Sequence, residues 1–209
     1  LIVAALLLLP SVAAAQNGDR FQLFGDAQNL TGGLPPNGSV HLTSHCNPYS
    51  PSGNPAPCDF DVTFSGIDYT PRSGLTFAQI QHLSATFNVN AGDCGGGSPR
   101  FEIAMDMNND GVFDGNIFVY FGPSPSFTLC RLGWQRTGNL IGNADAGRWD
   151  ATSLGGPLGT YAQVLAFIGS ARVLAVQVVV DGGWTTQRGQ AVDVDNFRVN
   201  NDALRRGAD

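Results

Sequence analysis

The stretch that decides the fold begins Cys94-Gly95-Gly96-Gly97-Ser98-Pro99-Arg100 and continues Phe101-Glu102-Ile103-Ala104-Met105. It then reads Asp106-Met107-Asn108-Asn109-Asp110-Gly111-Val112-Phe113-Asp114, followed by Ile117-Phe118-Val119-Tyr120-Phe121 and, last, Cys130. Two apolar runs flank an Asn/Asp/Gly turn, and a cysteine stands at each end. This pattern predicts a β-hairpin with a candidate cation site at its tip.

Working outward, the same signals recur. Asp59-Phe60-Asp61-Val62-Thr63-Phe64 alternates, which puts Phe60, Val62 and Phe64 on one face of a strand. Phe21–Phe24, Val40–Thr43 and Leu83–Val89 read as further strands. Val173–Asp181 is apolar on both sides, as expected of a central strand covered on both faces. Ala191–Val199 closes the domain. Thr160 caps a helix in which Tyr161, Leu165 and Ile168 share a face and which Gly169 ends. A shorter turn over Thr76–Gln81 points Phe77 and Ile80 inward. Cys46–Cys58 contains Pro48, Pro51, Pro55 and Pro57 and reads as an irregular loop. About eight strands separated by turns, with one or two short helices, predict an all-β fold. The expected architecture is an antiparallel β-sandwich of jelly-roll type.

Composition agrees. The chain has no lysine and only one glutamate, Glu102, although helices draw on both residues for their solvent faces. Its net charge of −6 argues against nucleic acid as a partner. Residues 1–15, with an apolar run of Leu, Ile, Val and Ala ending in Ala13-Ala14-Ala15, are expected to be a signal peptide truncated at its start. Residues 16–209 then form a single domain, with no segment long enough to span a bilayer. In a secreted chain the four cysteines predict two disulfides, with three connectivities open. Cys46–Cys58 and Cys94–Cys130 are favoured because each pair brackets a self-contained loop. In the chain-entropy account they contribute about 3 and about 4 kcal/mol.

Gly95–Phe101, the helix Tyr161–Ile168, Asp181-Gly182-Gly183-Trp184 and Val194-Asp195-Asn196-Phe197 together resemble a group of uncharacterised secreted bacterial β-sandwich proteins. The Asp-Asn pair of the last strand is similar to that of extracellular jelly-roll, carbohydrate-binding-like domains. The resemblance covers about Thr76 to Asn200; it implies fold and location, and no activity.

For chemistry, Asp106, Asn108, Asp110 and Asp114 stand at positions 1, 3, 5 and 9 of a calcium-loop pattern, with Val112 placed to offer its carbonyl and Gly111 at the sharp turn. Ile117 replaces the usual position-12 glutamate, so another carboxylate is required, Asp193 or Asp195 being the candidates. An ordinary Asn/Asp/Gly turn is the competing reading. Ser98 fails the nucleophile-elbow pattern. Glu102 and Asp106 share a strand face but lie roughly 13 Å apart, too far for a glycosidase pair. Asp193 and Asp195 lie at about 7 Å. Trp134 and Trp184, next to glycines, are the candidate ligand-binding aromatics, able to stack on sugar rings. These features lead to the expectation of a secreted, non-catalytic module binding an extracellular glycan, with calcium as a structural ion. The alternatives are a polysaccharide-active hydrolase using Asp193, Asp195 or Glu102, and a surface protein without a small ligand.

Overall fold

A computed structural model describes residues 20–30, 38–49, 55–95, 97–182 and 189–204; the side chains of 46–49 and 55–62 lie outside that description. The central hairpin forms as its pattern predicts. Phe101, Ile103 and Met105 in β7 (Arg100–Asp106) and Ile117 and Val119 in β8 (Gly115–Tyr120) are all fully buried. The two strands pair from Arg100↔Tyr120 to Met105↔Gly115. Each buried side chain of this kind is worth about 1.5–3 kcal/mol.

The remaining strands are β1 (Phe21–Phe24), β2 (Gln28–Leu30), β3 (Ser39–Tyr49), β4 (Pro55–Val62), β5 (Phe64–Tyr69) and β6 (Leu83–Ala91). After the hairpin come β9 (Gln135–Arg136), β10 (Trp149–Asp150), β11 (Leu158–Gly159), the helix α1 (Tyr161–Ile168), β12 (Arg172–Asp181), β13 (Gly189–Val199) and β14 (Asp202–Ala203). The first sheet has the order β1-β5-β12-β7-β8-β10-β11; the second runs β2-β3-β13-β6-β9, with β4 on β3 and β14 on β13. The pairings are antiparallel, and the arrangement is a β-sandwich. No described helix is long and apolar enough to cross a membrane.

Aromatic rings stitch the two sheets together. Phe197 of the second sheet meets Phe21 and Phe101 of the first at 5.4 and 5.6 Å. Phe121 then links Phe101, at 4.6 Å, to Phe87 of the second sheet, at 5.1 Å. A second cluster of Phe77, Trp149 and Tyr161 packs α1 and the Phe77–Gln79 turn against the sandwich.

Several sequence expectations change. Strands β3 and β4 run into the proline-rich segment and pair there, with Asn47 opposite Phe60, so it is not wholly an irregular loop. The alternation read through Phe64 breaks at Thr63, where the chain leaves β4 and enters β5. Phe64 is consequently 56% exposed rather than in the core. In α1 the inward face is Tyr161, Val164 and Ile168, so Tyr161 and Ile168 turn inward as expected while Val164 takes the place expected for Leu165, which is only partly covered. Strand β12 is central, but only one of its faces is in the core; Gln177 and Asp181 look outward and are half-buried. Cys94 and Cys130 are bonded, with Cα atoms 5.2 Å apart. The Cys46–Cys58 pairing falls on side chains outside the described residues, as do the expected signal peptide and Trp184.

Replacing both Cys94 and Cys130 by serine should lower unfolding free energy by about 4 kcal/mol, the loop-closure value for this span. Urea unfolding under non-reducing conditions measures it. A loss below about 1 kcal/mol would show that the bridge closes a loop already held by the strands.

Candidate functional site

Strand register assembles a surface on the outer face of the first sheet. Gln22, Asp68, Gln177, Glu102 and Phe118 stand in one row across β1, β5, β12, β7 and β8. The neighbouring row holds Phe24, Gly66, Val179 and Arg100, and Phe64 stands opposite Asp181 beyond it. A cavity of about 360 Å³ lies over these rows, from Phe24 and Phe64 on one side to Asn116 and Phe118 on the other. That volume is within the range of small-ligand sites. Three inter-strand spacings separate β5 from β8, so the depression is roughly 14 Å wide.

Arg100 is its organising side chain. Only 5% of the residue is exposed. Its Nε donates to Glu102 Oε1 at 2.7 Å, one terminal nitrogen donates to the Gly97 carbonyl at 2.7 Å, and the other donates to Asp181 Oδ2 at 3.0 Å and is also paired with Glu102. The guanidinium carbon lies 5.1 Å from the centre of the Phe118 ring. A planar guanidinium suits this combination of forked hydrogen bonds and ring contact. Around it, Gln177 Nε2 donates to Asp68 Oδ1 at 2.8 Å. Tyr120 donates its hydroxyl to Asp150 at 2.6 Å, and burial followed by that carboxylate pushes the Tyr120 pKa up.

The aromatic wall depends on a glycine. A Cβ at Gly66 would meet the Phe24 ring at 2.4 Å and the Val178 carbonyl oxygen at 2.3 Å. Phe24 therefore lies across Gly66, a ring covering a strand glycine. Its centre is 6.1 Å from that of Phe64.

The sequence-selected residues fall elsewhere. Trp134 is half-buried just before β9, at the edge of the second sheet. Trp149 and Tyr161 are core residues. Ser98 is buried; its hydroxyl donates to Gln190 at 2.6 Å and accepts from the Asp181 amide at 3.0 Å, which pins the end of β12 and fits no nucleophilic role. Glu102 is brought to Asp181, 79 residues away in sequence but on the adjacent strand, rather than to Asp106. Sequence signals for this surface were present in part: Gln177 and Asp181 interrupt an apolar strand, and Glu102 alternates with core residues.

In the acidic turn, Asp106 is fully buried, and its two oxygens accept from the Asp110 and Gly111 amides at 3.0 and 2.8 Å. Asp110 Oδ1 accepts from Val112 N, Asn108 Oδ1 from Asp110 N, and Asp114 Oδ2 from Met107 N. Gly111, with φ of +92°, makes the turn that L side chains resist. Arg172 reaches to 3.6 Å from Asp106 Oδ2. Among the described residues no three His, Cys, Asp or Glu side chains converge on one point. Asp193 and Asp195 are in the second sheet, whereas the turn belongs to the first.

On the outer face of that second sheet, Asp193 lies 2.6 Å from His41 Nδ1. Asp195 is 2% exposed, and its Oδ2 has no hydrogen-bond partner in the structure; Oδ1 accepts from Asn196 N at 2.6 Å. Burial raises the Asp195 pKa, opposed by the Asn196 amide. A second cavity of about 260 Å³ lies at one end of the sandwich beside Arg72 and Tyr69. Tyr69 donates to Asp202 at 2.6 Å and has its pKa pushed up to about 12, by burial first.

Neither a family model nor a curated protein nor a solved structure matches this chain.

A carboxyl group with a raised folded-state pKa contributes stability that is full below the ordinary carboxylate range and is lost as pH rises through the raised value. Asp195→Asn should therefore raise the melting temperature at pH 7 and change it little at pH 3. Thermal melts across that range check this. A loss at pH 7 that exceeds the loss at pH 3 would mean that the Asp195–Asn196 hydrogen bond outweighs the cost of the buried charge.

Proposed function

We propose that this protein is a secreted, non-catalytic module that binds an extracellular glycan in the depression on the outer face of its first sheet. The observation that carries the reading is the combination, in one cavity of about 360 Å³, of the Phe24, Phe64 and Phe118 rings with Glu102, Asp181, Gln177 and Asn116. Sugars present an apolar ring face and a rim of hydroxyls. Aromatic rings match the first, and fixed carboxylate and amide groups match the second. The site is built on strands rather than loops, which holds these groups in place.

Binding is favoured over turnover. Glu102 and Asp181 are both paired to the same Arg100 nitrogen, whereas a glycosidase needs one of its two carboxyls to deliver a proton. The jelly-roll assignment belongs to the same reading: the chain passes between the sheets from β5 to β6, from β6 to β7 and from β12 to β13. Secretion is supported by the apolar residues 1–15 and by a disulfide, which persists in oxidising compartments. Trp134 is not needed for this surface.

Calcium enters the reading as a structural ion on the β7–β8 turn. The spacing from Asp106 through Asn108, Asp110 and Val112 to Asp114 supplies the frame. The oxygens of Asp106, Asn108, Asp110 and Asp114 would turn from backbone amides toward the ion.

Phe64→Ala should weaken glycan binding by roughly tenfold or more, the loss of one stacking contact, while Trp134→Ala leaves it unchanged. Affinity electrophoresis against a polysaccharide panel measures both. The reverse ranking would move the site to the second-sheet edge. For the ion, millimolar Ca²⁺ should raise the melting temperature by a few degrees, and Asp110→Ala should remove that rise. Identical melts in Ca²⁺ and EDTA would leave the turn closed by its amides alone.

A further inference from the structure

The row of outward-facing residues that carries the depression does not end where the depression ends. Phe118 of β8 stands opposite Asp150 of β10, and Asp150 stands opposite Leu158 of β11, the edge strand of the first sheet. Trp149, next to Asp150, is fully buried, so Asp150 and Leu158 share the outer face with Phe118. From Gln22 on β1 to Leu158 on β11, one row thus crosses the seven strands of the first sheet. Its six inter-strand spacings make it roughly 29 Å long, of which the depression takes about half. Both ends reach solvent: Gln22 is exposed, and Leu158 is 56% exposed. Between Phe118 and Leu158 the Asp150 carboxylate is held in place. Its Oδ2 accepts from the Tyr120 hydroxyl at 2.6 Å, and its Oδ1 accepts from the Thr152 amide and hydroxyl at 2.9 and 2.6 Å.

We infer that this row seats an internal stretch of one extended polysaccharide chain, laid across the strands, rather than a chain end or a single sugar unit. This rests on the glycan-binding reading above. A pocket closed at one end stops a chain at its terminus, whereas a track exposed at both ends lets the chain run through. The extension repeats the chemistry of the depression. Phe118, Asp150 and Leu158 set apolar contact, hydrogen-bond acceptor and apolar contact in succession, matching the ring faces and hydroxyls of successive units. Each strand is turned by about 20° from the last, so the bound chain follows a gentle twist. That suits a single flexible chain and not the flat face of a packed fibre.

The test measures the affinity of cello-, manno-, xylo- and chito-oligosaccharides and of oligogalacturonides, from disaccharide to octasaccharide, for the full chain and its Phe64→Ala and Leu158→Ser variants. Leu158 is exposed, so its replacement leaves the core untouched. In at least one series the octasaccharide should bind roughly tenfold or more tighter than the tetrasaccharide. Phe64→Ala should weaken every length that binds. Leu158→Ser should weaken the octasaccharide by roughly threefold and leave the disaccharide unchanged. If Phe64→Ala weakens binding but the octasaccharide gains nothing over the tetrasaccharide, or Leu158→Ser leaves it unchanged, the chain track is overturned and the glycan site stands. If no series binds, or if Phe64→Ala leaves all binding intact, the site reading fails and the track fails with it.

Discussion

A buried guanidinium beside two carboxylates is the constraint on which the first sheet's outer face depends. Arg100 is almost wholly removed from water, a state that is costly for an ion unless its donors find partners. They do: Glu102 from the same strand, Asp181 from the neighbouring strand, and the Gly97 carbonyl from the loop behind. Removing Arg100 alone would take away the cation that the two carboxylates share, a defect of order 3–5 kcal/mol. The same network holds the carboxylates in a fixed plane. Stability and the proposed recognition therefore rest on one set of bonds, and the Ser98 hydroxyl secures them by accepting from the amide of Asp181.

The core supplies the flat support this requires. The chain of rings from Phe21 through Phe197 and Phe101 to Phe121 and Phe87 fills the space between sheets with rigid side chains. On the opposite side of the same strands, Gly66 gives up a side chain so that the Phe24 ring can cover it. The corner at Thr63, whose amide donates to the His45 carbonyl at 2.9 Å, then turns Phe64 out beside Phe24.

Much of the fold was legible in the sequence because it is written in local patterns. The hairpin, β12, β13 and the capped helix α1 follow from periodicity over a few residues and from Thr160, whose amide donates to Gln163 Oε1 at 2.9 Å. The site was legible only in fragments. Its rows join residues as distant as Phe24 and Val179, or Gln22 and Phe118, and strand order and register are not encoded in any single segment. Alternation carried through Thr63 puts Phe64 on one face with Phe60 and Val62, but the corner there resets it. Trp134 drew attention as a large aromatic near glycine, yet composition could not tell a sheet edge from a binding face. In the acidic turn the spacing is local and visible in the sequence, while the backbone amides that take up its oxygens belong to the folded loop.

The most direct test of the account is a titration of isotope-labelled protein with a short neutral oligosaccharide, followed by backbone amide chemical shifts. The account predicts changes concentrated at Phe24, Phe64, Glu102, Phe118, Gln177 and Asp181, with β3, β6 and β13 unmoved. Shifts centred on Trp134 and the second sheet, with the first sheet silent, would contradict it.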